Sequence, residues 1–259
     1  MRPYNQVIRK RKKRFFMEAY KQEAHIRTEA LIGRAGMERL KNSRVAVFGI
    51  GGVGGHLAEA LARAGVGHIH LIDKDEVSVS NINRQAVALY STVGLPKVQV
   101  MADRIRDIQP GCNVTATQAF YLPDNADTFD LSVYDYVADC VDTVAAKLEL
   151  AVRCQEAGVP LIAAMGAGNK LHPERFRISD ISKTETDPLA RVMRRELKKK
   201  GVKKLLCVWS DEPPIPSALV DENNRNAPAS ISFTPSVMGL IMAGEIIRTL
   251  SSMEMKTGG

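Results

Sequence analysis

Residues 45–85 constrain the fold of this 259-residue chain more than any other stretch. They comprise an apolar run, a glycine-rich loop, an amphipathic segment, a second apolar run and a polar loop, which is the pattern of a strand–helix–strand unit. Gly49, Gly51 and Gly54 match the G-x-G-x-x-G spacing, and Asp73 closes the second run where such folds meet a ribose hydroxyl. The stretch therefore predicts a nucleotide-binding unit without specifying the nucleotide.

Apolar runs and helical patterns alternate through residue 165. The predicted strands are residues 45–50, 69–73, 114–120, 134–140, 159–165 and 204–210, and the predicted helices are residues 28–42, 56–64, 96–108, 143–157, 188–200 and 235–250. Thr28 is the predicted N-cap of the first helix. This order is typical of a doubly wound, Rossmann-like α/β fold with a mainly parallel sheet. Ligands bind such sheets beyond the carboxyl ends of the strands, where Asp73 and Asp142 are both expected.

No repeat or separable linker divides the sequence, so residues 1–259 are predicted to form a single domain. Residues 1–27 form a basic N-terminal arm, which contains the cluster RKRKKR. Residues 166–259 depart from plain alternation and form a C-terminal elaboration. That part contains a basic helix and a long proline-rich loop at residues 211–230, which we expect to act as a lid.

The composition favours a globular protein with a polyanionic partner. Hydrophobic residues make up 45% of the chain, and the formal net charge is +7. The basic N-terminus lacks the apolar segment of a secretory signal, so we expect a cytoplasmic location. Glu245 and Arg248 interrupt the last apolar segment, which therefore predicts a buried helix and no stable membrane insertion. The four cysteines form no CxxC pair, which argues against a zinc site or a disulfide framework.

Two nucleotides fit the glycine motif. An NAD-dependent oxidoreductase would use the glycines and Asp73, but it would leave Arg84, Lys97 and Asp142 without a role. A triphosphate accounts for these residues, because Arg84 and Lys97 can neutralise phosphoryl oxygens. Asp142 can then hold magnesium.

Four motifs carry a family resemblance: GIGGVGG, DKDEVSVSNINRQ, GLPK and DCVD. Together they resemble the adenylating domain of the ubiquitin-activating-enzyme-like superfamily, which includes the ThiF, MoeB and HesA proteins. The resemblance implies that ATP binds at the glycine loop and that a substrate carboxylate attacks its α-phosphate. The implied nucleotide-binding residues are Gly49, Gly51, Gly52, Gly54, Asp73, Asp75, Asn81, Arg84, Gln85 and Lys97. Asp142 is the implied Mg²⁺ ligand, and Arg27 matches an arginine finger that acts on the other subunit of a homodimer.

The last third of the chain narrows the resemblance. The segment from GAGNKLHPERF to ELKKKGV, followed by WSDEPP, resembles the tRNA threonylcarbamoyladenosine dehydratases. That likeness implies adenylation and dehydrative cyclisation of a modified adenosine beside the tRNA anticodon. Activation of the C-terminal glycine of a ubiquitin-like sulfur carrier is the alternative within the superfamily. A bound monovalent cation and a sulfurtransferase partner are left open by the sequence.

The basic helix is the predicted tRNA contact. A run of cations on a helix usually forms a solvated face, but a tRNA substrate favours phosphate contacts here. The candidate residues are Arg191, Arg194, Arg195, Lys198, Lys199 and Lys200.

Overall fold

A computed structural model describes residues 23–219 and 227–252. The strands are β1 (Arg44–Phe48), β2 (His68–Ile72), β3 (Asn113–Thr117), β4 (Tyr136–Asp139), β5 (Leu161–Ala164), β6 (Phe176–Asp180) and β7 (Leu206–Ser210). The α-helices are α1 (Ile26–Asn42), α2 (Gly54–Ala64), α3 (Lys97–Ile108), α4 (Val144–Ala157), α5 (Pro188–Lys199) and α6 (Phe233–Ser252). The strands form one sheet in the order β3-β2-β1-β4-β5-β7-β6.

The sheet confirms the doubly wound prediction. All neighbouring strands are parallel except β6, which pairs with β7 in antiparallel orientation. The chain runs outward from β1 through β2 to β3, then returns to β4 on the other side of β1. This reversal leaves a crevice beyond the carboxyl ends of β1 and β4, which is where ligands bind in such folds.

Strand β1 is apolar throughout its buried length because both of its faces are covered. Val45 and Val47 belong to the core beneath α2, α3 and α6, whereas Ala46 and Phe48 belong to the core beneath α4. Successive side chains of a strand point to opposite faces of the sheet, so a central strand needs an apolar residue at every position. Helix α2 then ends at Gly65 and α4 at Gly158, and both glycines adopt the left-handed conformation.

Several predicted boundaries were wrong. Helix α1 begins at Ile26, so Thr28 lies inside the helix instead of capping it. Pro96 precedes α3 as its N-cap residue, because its extended ψ of 128° is not helical. Strand β6 was not predicted, since the segment FRISD at the sheet edge is mostly half-buried and shows no continuous apolar run.

Two predicted segments fall partly or wholly outside the described ranges. The basic cluster of the N-terminal arm lies outside them, and so do residues 220–226 of the predicted lid loop. Among the helices of residues 23–219 and 227–252, none combines the length and the apolar composition that crossing a membrane requires.

Candidate active site

A cleft of about 370 Å³ opens at the crevice beyond β1, β2 and β4. Nearly all of the predicted nucleotide residues line it: Gly49, Gly51, Gly52, Asp73, Asp75, Asn81, Arg84, Gln85, Lys97 and Asp142. Gly54 lies directly behind the lining, at the first position of α2. Arg27 is exposed on α1 and does not line the cleft of its own chain.

Gly49 and Gly54 are glycines for steric reasons. Gly49 has a φ of +89°, and a Cβ there would lie 2.6 Å from the carbonyl oxygen of Cys140. A Cβ on Gly54 would lie 1.8 Å from the carbonyl oxygen of Gly49. The loop can therefore turn tightly and bring the N-terminus of α2 to the cleft, where its free amides favour an anion.

Asp73 organises the glycine loop in addition to facing the cleft. One carboxylate oxygen accepts a hydrogen bond from the Ile50 amide at 2.6 Å, and the other accepts one from the Asp75 amide at 2.8 Å. A carboxylate oxygen can accept more than one hydrogen bond. Asp73 can therefore hold both loops and still receive a ribose hydroxyl, as the sequence predicts.

Lys97 and Arg84 place two cations in the cleft. The Lys97 side chain is almost wholly buried, and its ammonium donates to Asp75 at 2.9 Å. Burial alone would raise the pKa of Asp75, but the hydrogen bond and charge of Lys97 hold it below its ordinary value. The Arg84 guanidinium donates to the Ser80 carbonyl and the Asn83 side chain, and burial lowers its pKa. Five N–H donors leave Arg84 with capacity for phosphoryl oxygens.

Gln85 carries an unsatisfied polar atom at the cleft. Its Oε1 is buried and has no hydrogen-bond partner among the described residues. Buried polar atoms are nearly always paired in folded proteins, and Gln85 lines the cleft, so a ligand bound there would supply the missing partner after a small rotation of the side chain. Asn81 is buried beside it, with its side chain accepting from the Ser78 amide at 3.1 Å. Gln85 is therefore free to bond a nucleotide, whereas Asn81 also shapes the loop.

Asp142 is an exposed carboxylate of the cleft, in the loop that follows β4, and it accepts a hydrogen bond from the Thr143 hydroxyl at 3.2 Å. No group of three or more His, Cys, Asp or Glu side chains in the described part of the chain could hold a metal by itself. Magnesium does not need such a cage, because it binds through one or two carboxylates together with the phosphates of its substrate. The residues present therefore fit Mg²⁺ delivered with a nucleotide.

Asp139 and Lys147 support Asp142 and were not predicted as site residues. Both side chains are essentially inaccessible, and the Lys147 ammonium lies 3.0 Å from both carboxylate oxygens of Asp139 and from the Val141 carbonyl. Asp139 also accepts the Val141 amide at 3.2 Å, so the pair holds the peptide next to Asp142 from both sides. Lys147, Ala151 and Cys154 share one buried face of α4, and this spacing could have indicated a buried lysine.

Two further parts of the lining were missed. Phe120 and Tyr121, which follow β3, form the apolar end of the cleft beside Phe48. Gly168 and Pro228 line the other side, and both belong to the C-terminal elaboration. These residues carry no nucleotide motif, so only the fold reveals them.

Three of the four cysteines are buried, and Cys140 is half-buried at the cleft. All four are free thiols. Burial raises the pKa of Cys154 and Cys207 to about 12, and it also raises the pKa of Cys140 above its ordinary value. A thiol with so high a pKa stays protonated near neutral pH and is a poor nucleophile.

Helix α5 carries the predicted tRNA residues away from the cleft. Its N-cap, Asp187, accepts the Gly166 amide at 3.2 Å near the carboxyl end of β5, whereas the backbone of Lys203 beyond its far end meets Gln155 at the end of α4. The cations at the C-terminal end of α5 therefore lie toward the amino ends of the strands, away from the cleft. Three of the six are engaged within the protein: Arg194 with Thr184, and Arg195 and Lys199 with Glu196. Arg191, Lys198 and Lys200 form no ion pair within the described ranges.

Fold and cleft together define a nucleotide-binding α/β protein whose site suits a polyphosphate. Residues 23–258 match the model of the ThiF family, and the chain belongs to that family. It is 48% identical over 239 residues to the tRNA threonylcarbamoyladenosine dehydratase of Bacillus subtilis strain 168, covering 86% of this chain and 93% of that protein. Identity to the Escherichia coli K12 enzyme of the same name is 42% over 193 residues, covering 71% and 72%. The crystal structure of the E. coli enzyme in complex with ATP superposes with a TM-score of 0.81 at 35% identity, covering 89% and 95%.

Proposed function

We propose that this protein is an ATP-dependent tRNA threonylcarbamoyladenosine dehydratase. One observation carries the proposal: two cations, an exposed carboxylate and an unsatisfied glutamine converge on a glycine loop at the switch point of the sheet. Such a cleft suits a triphosphate better than NAD. Its dehydratase relatives, matched over most of their length, support the same activity.

The reaction proceeds in two balanced steps. The carboxylate of the threonylcarbamoyl group attacks the α-phosphorus of ATP, the bond to the β-phosphate oxygen breaks, and pyrophosphate leaves. A carbamoyl nitrogen or oxygen of the same modification then attacks the activated acyl carbon, a carbamoyl N–H proton passes to solvent, the acyl–oxygen bond breaks, and AMP leaves as the ring closes. The nucleoside loses one water in total, and the second step needs positioning more than an added base, because AMP is a good leaving group.

Each cleft residue has a role in this scheme. Asp73 binds the ribose, and the loop amides with Gln85 hold the phosphates. Arg84 and Lys97 stabilise the charge that develops on the α-phosphate during attack. Lys97 must exchange part of its contact with Asp75 for phosphate oxygens to do so. Asp142 is the residue that would hold Mg²⁺, and the ion would supply positive charge to the phosphates of the nucleotide.

The tRNA backbone contacts helix α5 in this proposal. Arg191, Lys198 and Lys200 are the cations available for phosphates, since the other three candidates are engaged internally. Contacts of this type position an RNA without reading its bases. A tRNA substrate also agrees with the cytoplasmic location expected from the sequence.

A homodimer completes the proposed enzyme. Arg27 is exposed on α1 beside the exposed apolar side chains of Ile26 and Leu31, a surface that a second copy could cover. In such a dimer Arg27 serves the partner's cleft. The monovalent cation and the sulfurtransferase partner stay predictions.

A mass assay on modified tRNA tests the activity. Protein, ATP, magnesium and threonylcarbamoyladenosine-containing tRNA should yield AMP, pyrophosphate and a nucleoside lighter by one water. The same tRNA without the modification is the control and should release no pyrophosphate. Pyrophosphate exchange that depends on a ubiquitin-like carrier would instead indicate a sulfur-carrier adenylyltransferase. Tight NAD binding without ATP binding would contradict both adenylation schemes.

A further inference from the structure

A second cavity of about 270 Å³ borders the ATP cleft and has no role in the scheme above. It lies between three segments of the C-terminal elaboration, residues 169–171, 215–217 and 229–231, and it shares Ser230 with the cleft. We propose that this cavity binds the base of the modified adenosine while its carboxylate is adenylated. The inference rests on the proposed function and identifies where the RNA substrate binds beside the ATP cleft.

The lining suits an unstacked purine. Leu171, Ile215, Pro216 and Ile231 supply apolar surface, and Leu171 is 48% and Ile215 42% exposed. Single-stranded RNA is recognised by bases that are splayed out onto apolar or aromatic surfaces and hydrogen-bonded along their edges. Asn169, Ser217 and Ser230 supply the polar groups at the same cavity. Mostly apolar walls with few polar groups are typical of small-molecule sites.

The cavity adjoins the phosphate-binding part of the cleft. The Arg84 guanidinium donates to the side-chain oxygen of Asn83 at 2.8 Å. The side-chain NH₂ of Asn83 in turn donates to the Ser230 carbonyl at 3.0 Å. Only a few covalent bonds separate the carboxylate of the substrate from the N6 atom of its base. A base whose carboxylate reaches the α-phosphate must therefore remain close to Arg84, and this cavity is at that place.

Asn169 lines the cavity and bonds to both of the other segments that form it. Its φ of 58° lies in the left-handed region, which non-glycine residues rarely adopt. Its amide donates to the Ala229 carbonyl at 2.8 Å, its side chain accepts the Ala229 amide at 2.7 Å, and its carbonyl accepts the Ile215 amide at 2.8 Å. Backbone strain held by specific hydrogen bonds is characteristic of ligand-binding sites. Asn169 thus fixes two of the segments that line the cavity.

Filling the cavity tests the proposal. Ser217→Tyr places a ring in the cavity, and Ala218→Tyr, one position along the same exposed segment, adds the same ring at a residue that does not line it. Ser217→Ala controls for the hydrogen bond that the Ser217 hydroxyl accepts from the Leu219 amide. We expect Ser217→Tyr to raise KM for modified tRNA at least about tenfold, with a smaller rise in Ser217→Ala, with Ala218→Tyr near wild type and with the Kd for ATP unchanged in all three.

A KM for modified tRNA within about twofold of wild type in Ser217→Tyr would overturn the proposal. Ile231→Trp fills the same cavity from another segment and decides the matter if Ser217→Tyr does not fold. If wild-type protein converts the modified nucleoside but neither variant alters KM, the subsite is wrong and the proposed function stands. If wild-type protein leaves the nucleoside mass unchanged, both are wrong.

Discussion

Asp142 depends on residues that never touch a ligand. The buried Asp139–Lys147 pair holds the peptide of Val141, and this fixes the loop that carries Asp142 into the cleft. Burial raises the pKa of Asp139 above its ordinary value, and the charge and hydrogen bonds of Lys147 oppose that shift. A buried ion pair of this kind adds specificity of geometry more than stability.

Replacing Asp142 should remove catalysis while leaving the fold intact. For Asp142→Asn we expect kcat to fall about 100- to 1,000-fold, because the carboxylate that would hold Mg²⁺ is lost and with it the charge stabilisation that the ion would supply to the phosphates. Single-turnover release of pyrophosphate measures the effect. Asp124→Asn, an exposed carboxylate outside the cleft, is the matched control. Turnover of Asp142→Asn at the level of this control would refute the assigned role.

Replacing Lys147 should instead destabilise the protein. Lys147→Met leaves Asp139 buried without its cation, and such a change typically costs about 3–5 kcal/mol. Urea unfolding monitored by the single tryptophan would report the loss. The double variant Asp139→Asn/Lys147→Met should recover much of it, since no buried charge is left unpaired. A loss below about 1 kcal/mol in Lys147→Met would show that the pair is not needed for stability.

At the scale of elements, two short connections and one helix determine the site. The glycine loop before α2 and the loop before α4 meet where Gly49 packs against the Cys140 carbonyl. Helix α6 closes over them, with Pro235 at its first turn contacting the position of Gly52. A substitution that separates these elements should therefore impair nucleotide binding before it destabilises the sheet.

Gly49→Ala should weaken ATP binding. The new Cβ would lie 2.6 Å from the Cys140 carbonyl oxygen, and the φ of +89° is unfavourable for alanine. We expect at least about a tenfold weaker Kd for ATP and a lower Tm, because alanine at positive φ is destabilising by more than about 1 kcal/mol. Gly111→Ala is the control, since a Cβ there meets no atom within 4 Å. Equal ATP affinity in the two variants would contradict this account.

Neutralising helix α5 should weaken tRNA binding and make the binding constant less dependent on salt concentration. In the triple variant Arg191→Gln/Lys198→Gln/Lys200→Gln we expect the slope of log K against log salt to fall by about 2, because each phosphate contact releases a counterion. Filter binding at several salt concentrations measures this slope.

The control removes equal charge from the helices α2 and α3. Arg63, Arg104 and Arg106 pair with Glu59 or Asp103 and lie outside the proposed tRNA surface. Their substitution by glutamine should leave the slope near that of the wild type. Equal slopes in both triple variants would show that α5 is a solvated helix whose cations do not contact tRNA.

For the whole molecule, Arg27 raises the question of how many chains make one site. It is exposed and does not line the cleft of its own chain. If it acts in a second subunit, Arg27→Ala and Asp142→Asn should each be inactive as homodimers. Mixed dimers would then regain one site with both residues intact.

Mixing the two variants after reversible dissociation tests this arrangement. Random pairing yields half mixed dimers with one active site each, so we expect about a quarter of wild-type activity. Two preparations of the same variant, mixed in the same way, are the control. If Arg27 acts within its own chain, no combination regains activity. Light scattering at the assay concentration checks that the protein is a dimer.

Local pattern determined most of the fold and much of the cleft. The apolar run of β1 and the glycine spacing of its loop predict the strand, the turn and the switch point, because steric rules act over a few neighbouring residues. The polar loop after β2 also carries four predicted residues that line the cleft: Asp73, Asn81, Arg84 and Gln85. The predicted start of α1 was wrong, because Thr28 resembles a cap in sequence, whereas the helix begins two residues earlier, at Ile26.

The tertiary structure alone decided what joins distant parts of the chain. Asn83 meets Ser230 across 147 positions, and Asn169 meets Ala229 across 60. No periodicity or motif links such residues, since their contact depends on how the elements pack and not on local spacing. The family motifs predict an adenylating site within the first 142 residues. The cavity that Asn169 lines, and the Ser230 that it shares with the cleft, exist only because the C-terminal elaboration folds back onto that site.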